Sequence, residues 1–383
     1  MWPSGVLAAA SPPGLATSNT RIASLDRLRG LVLILMALDH CRDFVLPSGA
    51  NPEDLATTTL GFFSLRWVTH FCAPVFLFLA GAGASLAYDR SGDRPRLVRW
   101  LLSRGLWLML LEVTWVNFMW FFEYDRIHLG VLWAIGGSMV LLAIAVRLGA
   151  GFRSLGTAAV LGTLALALWP VPKDALLASV FQPQWFENSP FGGLTVMSVY
   201  VVGPWFLVMA AGWAVGPWLR STPRQAAALG AGLFLGFLAS RGLGGFGDPG
   251  GWEVHERGLG ITLVDFLNPA KYPPSLDFLL MTLGPALVLL PVLGRLRGFG
   301  GQLLETLGRV PLFFYLLHIP LYHLMGVAQS EFRYGTSKVP AEASVNLIWL
   351  FALWGAGLLL LWPLCRRWRV VKATRNEFWV RYL

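Results

Sequence analysis

Leu25-Asp-Arg-Leu-Arg-Gly-Leu-Val-Leu-Ile-Leu-Met-Ala-Leu-Asp-His40 is the stretch that decides the fold. Its centre is an unbroken apolar run of bilayer character, yet Arg29 lies at one end and Asp39 and His40 at the other. Eleven helical residues turn through about 1100°, so Arg29 and His40 emerge within roughly 20° of one another and about 16 Å apart along the axis. Ionisable side chains at membrane depth cost on the order of several kcal/mol unless they are paired or hydrated. A stripe kept at that cost is a candidate for chemistry.

The rest of the chain extends the same pattern. Of its 383 residues 55% are hydrophobic and 13% charged, against roughly 25% charged in a soluble domain. The expected fold is therefore all-α and polytopic. A helix needs about 20 apolar residues to cross the hydrocarbon, which places ten spans near 27–45, 65–88, 99–121, 129–148, 154–170, 196–218, 225–243, 275–295, 305–327 and 345–364. Arginines gather in alternate connections: Arg90, Arg94, Arg96 and Arg99, then Arg147 and Arg153, Arg220 and Arg224, Arg295 and Arg297, and Arg366, Arg367 and Arg369. By the positive-inside rule both termini are expected in the cytoplasm, with the chain multi-pass in the cell (inner) membrane. The net charge of +9 is thus an orientation signal against lipid headgroups, and no nucleic-acid partner is expected.

Residues 1–20, rich in Ala, Ser and Pro, are expected to form a disordered leader; 21–365 the transmembrane domain; 366–383 a basic cytoplasmic tail. Cys41, Cys72 and Cys365 are too few and too scattered for a disulfide framework or zinc site, and no metal is expected. Gly81-Ala-Gly-Ala-Ser85 predicts a face on which two helices approach closely. Ser275 is placed to cap the eighth span. The connection 244–274 is long enough to suggest a function of its own.

With this topology His40 and His70 fall at comparable depths toward the outer half, His318 near mid-membrane with His323 one turn nearer the outside, and His128 at the outer face. A neutral imidazole suits proton transfer near pH 7, and a neighbouring carboxylate can orient it. Asp39 is adjacent to His40 but about 100° round the helix, and Asp43 is better placed geometrically; Asp39 can equally pair with Arg42 or Asn117. Glu112, buried mid-span, must be protonated, paired or lining water; Asn117 and Tyr124 can complete the same cavity. Arg29 suits an anion, or an ion pair with Asp26, itself expected at the helix N-terminus.

Ser24-Leu-Asp-Arg-Leu-Arg-Gly-Leu31 followed by Met36-Ala-Leu-Asp-His40 resembles the opening of the transmembrane acyltransferase superfamily, including the acyltransferase-3 proteins, in which an Arg and a His stand eleven positions apart in the first span. Thr69-His-Phe-Cys-Ala-Pro-Val-Phe-Leu-Phe-Leu-Ala-Gly81, Lys271-Tyr-Pro-Pro-Ser-Leu-Asp277 and Gly308-Arg-Val-Pro-Leu-Phe-Phe-Tyr-Leu-Leu-His-Ile-Pro320 are similar to later blocks of bacterial proteins related to the heparan-alpha-glucosaminide N-acetyltransferase catalytic domain. The resemblance implies acyl transfer from cytoplasmic acetyl-CoA to an acceptor reached from the other side, with Arg29 positioning the donor and His40 catalytic. One departure stands out. The lysosomal enzymes carry their catalytic His in the loop after the first span, with an Asn matching His40, whereas 41–69 here holds no histidine.

The expected machinery is then His40 as base, alone or with His70, with Asp39 and His318 in support. Donor phosphates would meet Arg29 and Arg99 or Arg104, and an extended pantetheine arm is comparable to the Arg29–His40 separation. The expected partners are acyl-CoA, a sugar or glycan amine or hydroxyl, and membrane lipid. The rival class is a proton-coupled transporter or flippase that uses the same buried His and carboxylates.

Overall fold

Alternating leucine, valine and isoleucine with the small residues Gly30 and Ala37 make the opening segment a helix that is buried on several sides. In the computed structural model it forms α1, Ala23–Val45, with Leu28, Val32, Leu33, Met36 and Ala37 buried. The structure describes residues 22–168, 171, 178–186, 194–244, 246–375, 377, 380, 382 and 383. The expected leader, 1–20, lies outside the described residues.

In chain order there follow α2 (Leu60–Thr69), α3 (Cys72–Ser91), α4 (Arg94–Leu111), a π-helical turn (Glu112–Val116), α5 (Asn117–Phe121), β1 (Arg126–Leu129), α6 (Val131–Arg147) and α7 (Phe152–Leu168). Then come α8 (Ala178–Phe181), β2 (Gln184–Phe186), β3 (Thr195–Ser198), α9 (Val202–Ser221), α10 (Pro223–Leu243), α11 (Leu259–Phe266), α12 (Leu276–Arg295), α13 (Gly298–Arg309), α14 (Pro311–Tyr334) and α15 (Leu347–Thr374). Among the described residues the chain is mostly helical, and α1 packs against α12, α13, α14 and α15.

Among the described residues six helical stretches are long and apolar enough to cross a membrane: Leu60–Ser91, Val202–Arg220, Arg224–Leu243, Leu276–Arg295, Pro311–Tyr334 and Leu347–Thr374. The remaining four expected spans correspond to α1 and α4, which carry several charges, and to α6 and α7, 17 residues each. Local chemistry changes several boundaries. The second segment breaks between α2 and α3 at His70–Phe71, where Pro74 in the first turn of α3 cannot donate to a preceding turn. The sixth opens on β3, and its helix starts only at Val202. The ninth does not run from 305: α13 ends at Arg309 and Pro311 starts α14. Arg366, Arg367, Arg369 and Lys372 lie on the last turns of α15, which continues to Thr374.

An all-α reading also misses a small sheet. β1 pairs in parallel with β3, and β3 pairs antiparallel with β2. The small-residue face behaves as its sequence predicts. A Cβ on Gly212 would lie 2.0 Å from the Phe78 carbonyl oxygen, and one on Gly81 would lie 2.0 Å from that of Met209, so α3 and α9 touch backbone to backbone. Ser275 Oγ accepts from the Phe278 amide at 3.1 Å and caps α12.

Candidate active site

His40 lines a cavity of about 220 Å³ whose walls also include Asp39, Glu112, Trp120, His128, Lys271 and Tyr315. Its Nδ1 lies 2.7 Å from Nε2 of His318. The other nitrogen of His318, Nδ1, is 3.1 Å from the carbonyl oxygen of Phe314, one helical turn earlier. A carbonyl only accepts, so His318 carries its proton on Nδ1 and its neutral ring offers a lone pair at Nε2. The hydrogen between the two rings therefore belongs to His40 Nδ1, which leaves His40 Nε2 as a bare base. Trp120 stands edge-on to His40, with ring centroids 4.8 Å apart.

Asp39 takes no part in that orientation. Its carboxylate meets Arg42 at 2.7 Å and Arg66 at 3.0 Å, and accepts from the Thr69 hydroxyl at 2.8 Å. Arg42 continues to Asp43 at 2.6 Å, and Arg66 to Glu53 at 3.0 Å. This network ties α1 to α2 and to the intervening loop, so the pairing of Asp39 with Arg42 is the reading that holds. The pairing with Asn117 is not found. Asn117 instead donates to the Arg126 carbonyl at 2.8 Å and accepts from the His128 amide at 2.9 Å, which pins β1 to the end of the third segment. His70 sits at the α2–α3 break, 3.5 Å from Glu53 and packed on Phe278, and is not among the cavity's lining residues.

Glu112 opens the π turn and reaches across to α6. Its Oε2 accepts from the amides of Leu132 and Trp133 at 2.7 and 3.2 Å, so the mid-span carboxylate is held by a helix N-terminus. A Cβ at Gly130 would lie 2.7 Å from Glu112 Oε1, so a larger residue there would have to displace the carboxylate. Burial pushes the imidazole of His128, on β1, down to about 4, so it is a neutral wall residue. Tyr124 is 58% exposed and belongs to the surface, outside the cavity.

A second cavity of about 210 Å³ is lined by Arg29 and Arg104 and by apolar side chains including Leu33, Phe76, Leu108 and Met139. Val131 and Tyr315 line both cavities, so the two meet at a wall one side chain thick. Arg29 pairs with Asp26 at 2.9 Å and donates to the Gly308 carbonyl at 3.2 Å. α13 approaches this closely because a Cβ on Gly308 would lie 1.8 Å from the Asp26 carbonyl oxygen. Asp26 makes no capping bond at the start of α1; it serves the arginine instead. Arg104 donates to the Tyr382 carbonyl. Arg99, expected beside them, is exposed on α4 and lines neither cavity.

Residues 21–241 match the family model described as heparan-alpha-glucosaminide N-acetyltransferase, catalytic. The chain belongs to that family. No curated protein matches it. Family membership makes the chain a transferase of the acetyltransferase type, and its apolar helices suit a multi-pass membrane protein. The matched region holds His40, Asp39, His70, Arg29, Arg99, Arg104 and Glu112, whereas His318, Tyr315 and Lys271 lie beyond it. Sequence reading missed Glu53 and Arg66 as the partners of His70 and Asp39. These residues lie on two helices and the one loop between them, which gave no periodic signal to follow.

Proposed function

We propose that this family member transfers an acetyl or related acyl group from acyl-CoA in the arginine cavity to an amine or hydroxyl of a sugar or glycan in the histidine cavity. The observation that carries the reading is the shared wall: Arg29 and Arg104 stand in one chamber, His40 in the other, and Val131 and Tyr315 in both. Arg29 and Arg104 would hold the donor's phosphates as bidentate partners, and the apolar lining beyond them suits the uncharged pantetheine arm. Arg99 lies outside the cavity and adds only a long-range attraction for the same charge.

His40 Nε2 removes the proton from the acceptor N–H or O–H as the freed lone pair attacks the thioester carbonyl carbon. The C–S bond breaks, and the imidazolium returns the proton to the departing thiolate. His318 holds the tautomer that makes this possible. Asp39 and His70 act through position: Asp39 fixes α1 on α2, and His70 fills the break in the second segment. Under this reading ten segments cross the cell membrane with both termini cytoplasmic, the arginine cavity facing the cytosol. A transporter needs one site that opens alternately, whereas two chambers back to back suit passage of a group through a wall.

Purified protein incubated with labelled acetyl-CoA and a panel of amino sugars and envelope glycans tests the reading. His40→Ala is expected to lower turnover by about 10²–10⁴-fold, while Arg29→Ala weakens CoA binding about tenfold in calorimetry. Undiminished turnover in the first variant and unchanged affinity in the second would refute it.

A further inference from the structure

We propose that Lys271 is the seat of an anionic group, a carboxylate or a phosphate, carried by the acceptor. The inference rests on the reading of the histidine cavity as the acceptor's chamber. That cavity is lined by three cationic side chains, Arg42, Arg66 and Lys271. Each arginine is bridged to two carboxylates: Arg42 to Asp39 and Asp43, and Arg66 to Asp39 and Glu53. Lys271 is only 8% exposed, yet among the described residues its ammonium makes no direct ion pair and no hydrogen bond; Asp39, the carboxylate within its electrostatic reach, is already held by Arg42 and Arg66. Its Nζ lies over two aromatic rings, 5.1 Å from the centroid of Tyr272 and 5.9 Å from that of Tyr200. A buried ammonium that gains cation–π contacts but no hydrogen bond keeps its donors for an incoming group.

The hydroxyls beside it point to the same ligand. Tyr272 Oη and Tyr200 Oη lie 3.1 Å apart and share one hydrogen bond, which leaves one of the two phenolic protons without an acceptor among the described residues. Both tyrosines line the cavity, so an ammonium and a phenolic O–H converge there as two donors. All three residues come from connections between helices, Tyr200 from the turn after β3 and Lys271 and Tyr272 from the long loop before α12. His40 and Tyr315, by contrast, stand on helices, and Tyr315 forms the wall to the donor's chamber. Lys271 lines the same cavity as His40, so it would hold a group of the acceptor other than the one His40 deprotonates. The loop whose length suggested a function contributes that function through Lys271.

The test uses the full chain in lipid nanodiscs and three matched amino sugars: glucosamine, muramic acid with its carboxylate, and glucosamine 6-phosphate. Calorimetry on the wild type is expected to find at least one acidic sugar bound about tenfold or more tighter than glucosamine, the size of one charge-assisted hydrogen bond. The better of the two arms identifies the anion. Lys271→Gln should bring the ratio of acidic to neutral affinity close to one, and Lys271→Arg should restore most of it. A wild type that does not distinguish the sugars, or a preference that survives in Lys271→Gln, would overturn the proposal. The Arg variant keeps the charge, so a loss caused by misfolding of the Gln variant is recognised by its unfolding midpoint and by retention in Arg. CoA titrated into the same nanodiscs reads the other chamber independently, so failure of the acyltransferase reading shows as missing CoA binding.

Discussion

His40 has two ring nitrogens, and a residue 278 positions away decides which of them is basic. The chain of acceptors runs from the Phe314 carbonyl through His318 to His40, so a backbone atom of α14 sets the chemistry of α1. Under the proposed function His318 is a positioning residue. His318→Ala is expected to reduce kcat by roughly 10²-fold or more with little change in KM, and His318→Gln to recover part of it, because an amide oxygen can again accept from His40 Nδ1. A purely structural role would lower the unfolding midpoint in both variants and leave their relative kcat unchanged. The helical phase of Arg29 and His40 was legible in the sequence, since both lie on one stripe. The partner of His40 was not, because α14 reaches it only through the tertiary fold. Asp39 shows the opposite limit: adjacency suggested an orienting carboxylate, but Arg66 on α2, invisible to α1's own periodicity, completes its ion pairs.

At the scale of elements, small residues decide how near helices come and therefore where side chains land. The face around Gly81 was readable because Gly81-Ala-Gly-Ala-Ser85 is a run of small residues. Its partner Gly212 lies on α9, where a Cβ would sit 2.0 Å from a main-chain oxygen that cannot yield. Gly212→Leu is expected to destabilise the bundle by at least about 1–3 kcal/mol, seen as a fall in the unfolding midpoint in detergent, whereas the same change at Gly83, which meets nothing nearby, should leave it unaltered. Other elements had no such signal. The π turn at Glu112–Val116 and the three-stranded sheet depend on long-range contacts, namely the carboxylate of Glu112 on α6 and the pairing of β1 with β3 across 69 residues of chain. The break before α14 was in principle legible, since Pro311 is a residue that starts helices and does not continue them.

For the whole molecule, the alternation of arginine-rich and acidic connections is the argument for ten crossings. Among the described residues six helical stretches are long and apolar enough to cross, while the charges of α1 and α4 keep those two below the apolarity of an ordinary span and α6 and α7 are short. Charge is what made these helices informative. Single cysteines at Ala56, between α1 and α2, and at Arg94, at the start of α4, test the proposed orientation. Both sites are exposed and the three native cysteines are buried, so an impermeant maleimide applied to intact cells should label the first and spare the second. Labelling of both from one side would refute the proposed topology.

The side chains of Val131 and Tyr315 separate two chambers that open, in the proposed orientation, toward opposite faces of the membrane. The same partition must then insulate. Each 100 mV of potential drives an elementary charge with about 2.3 kcal/mol, and a continuous thread of water at this point would dissipate it. Catalysis here is bound to a second duty, electrical tightness, and the bulk of the phenol at 315 has to satisfy both.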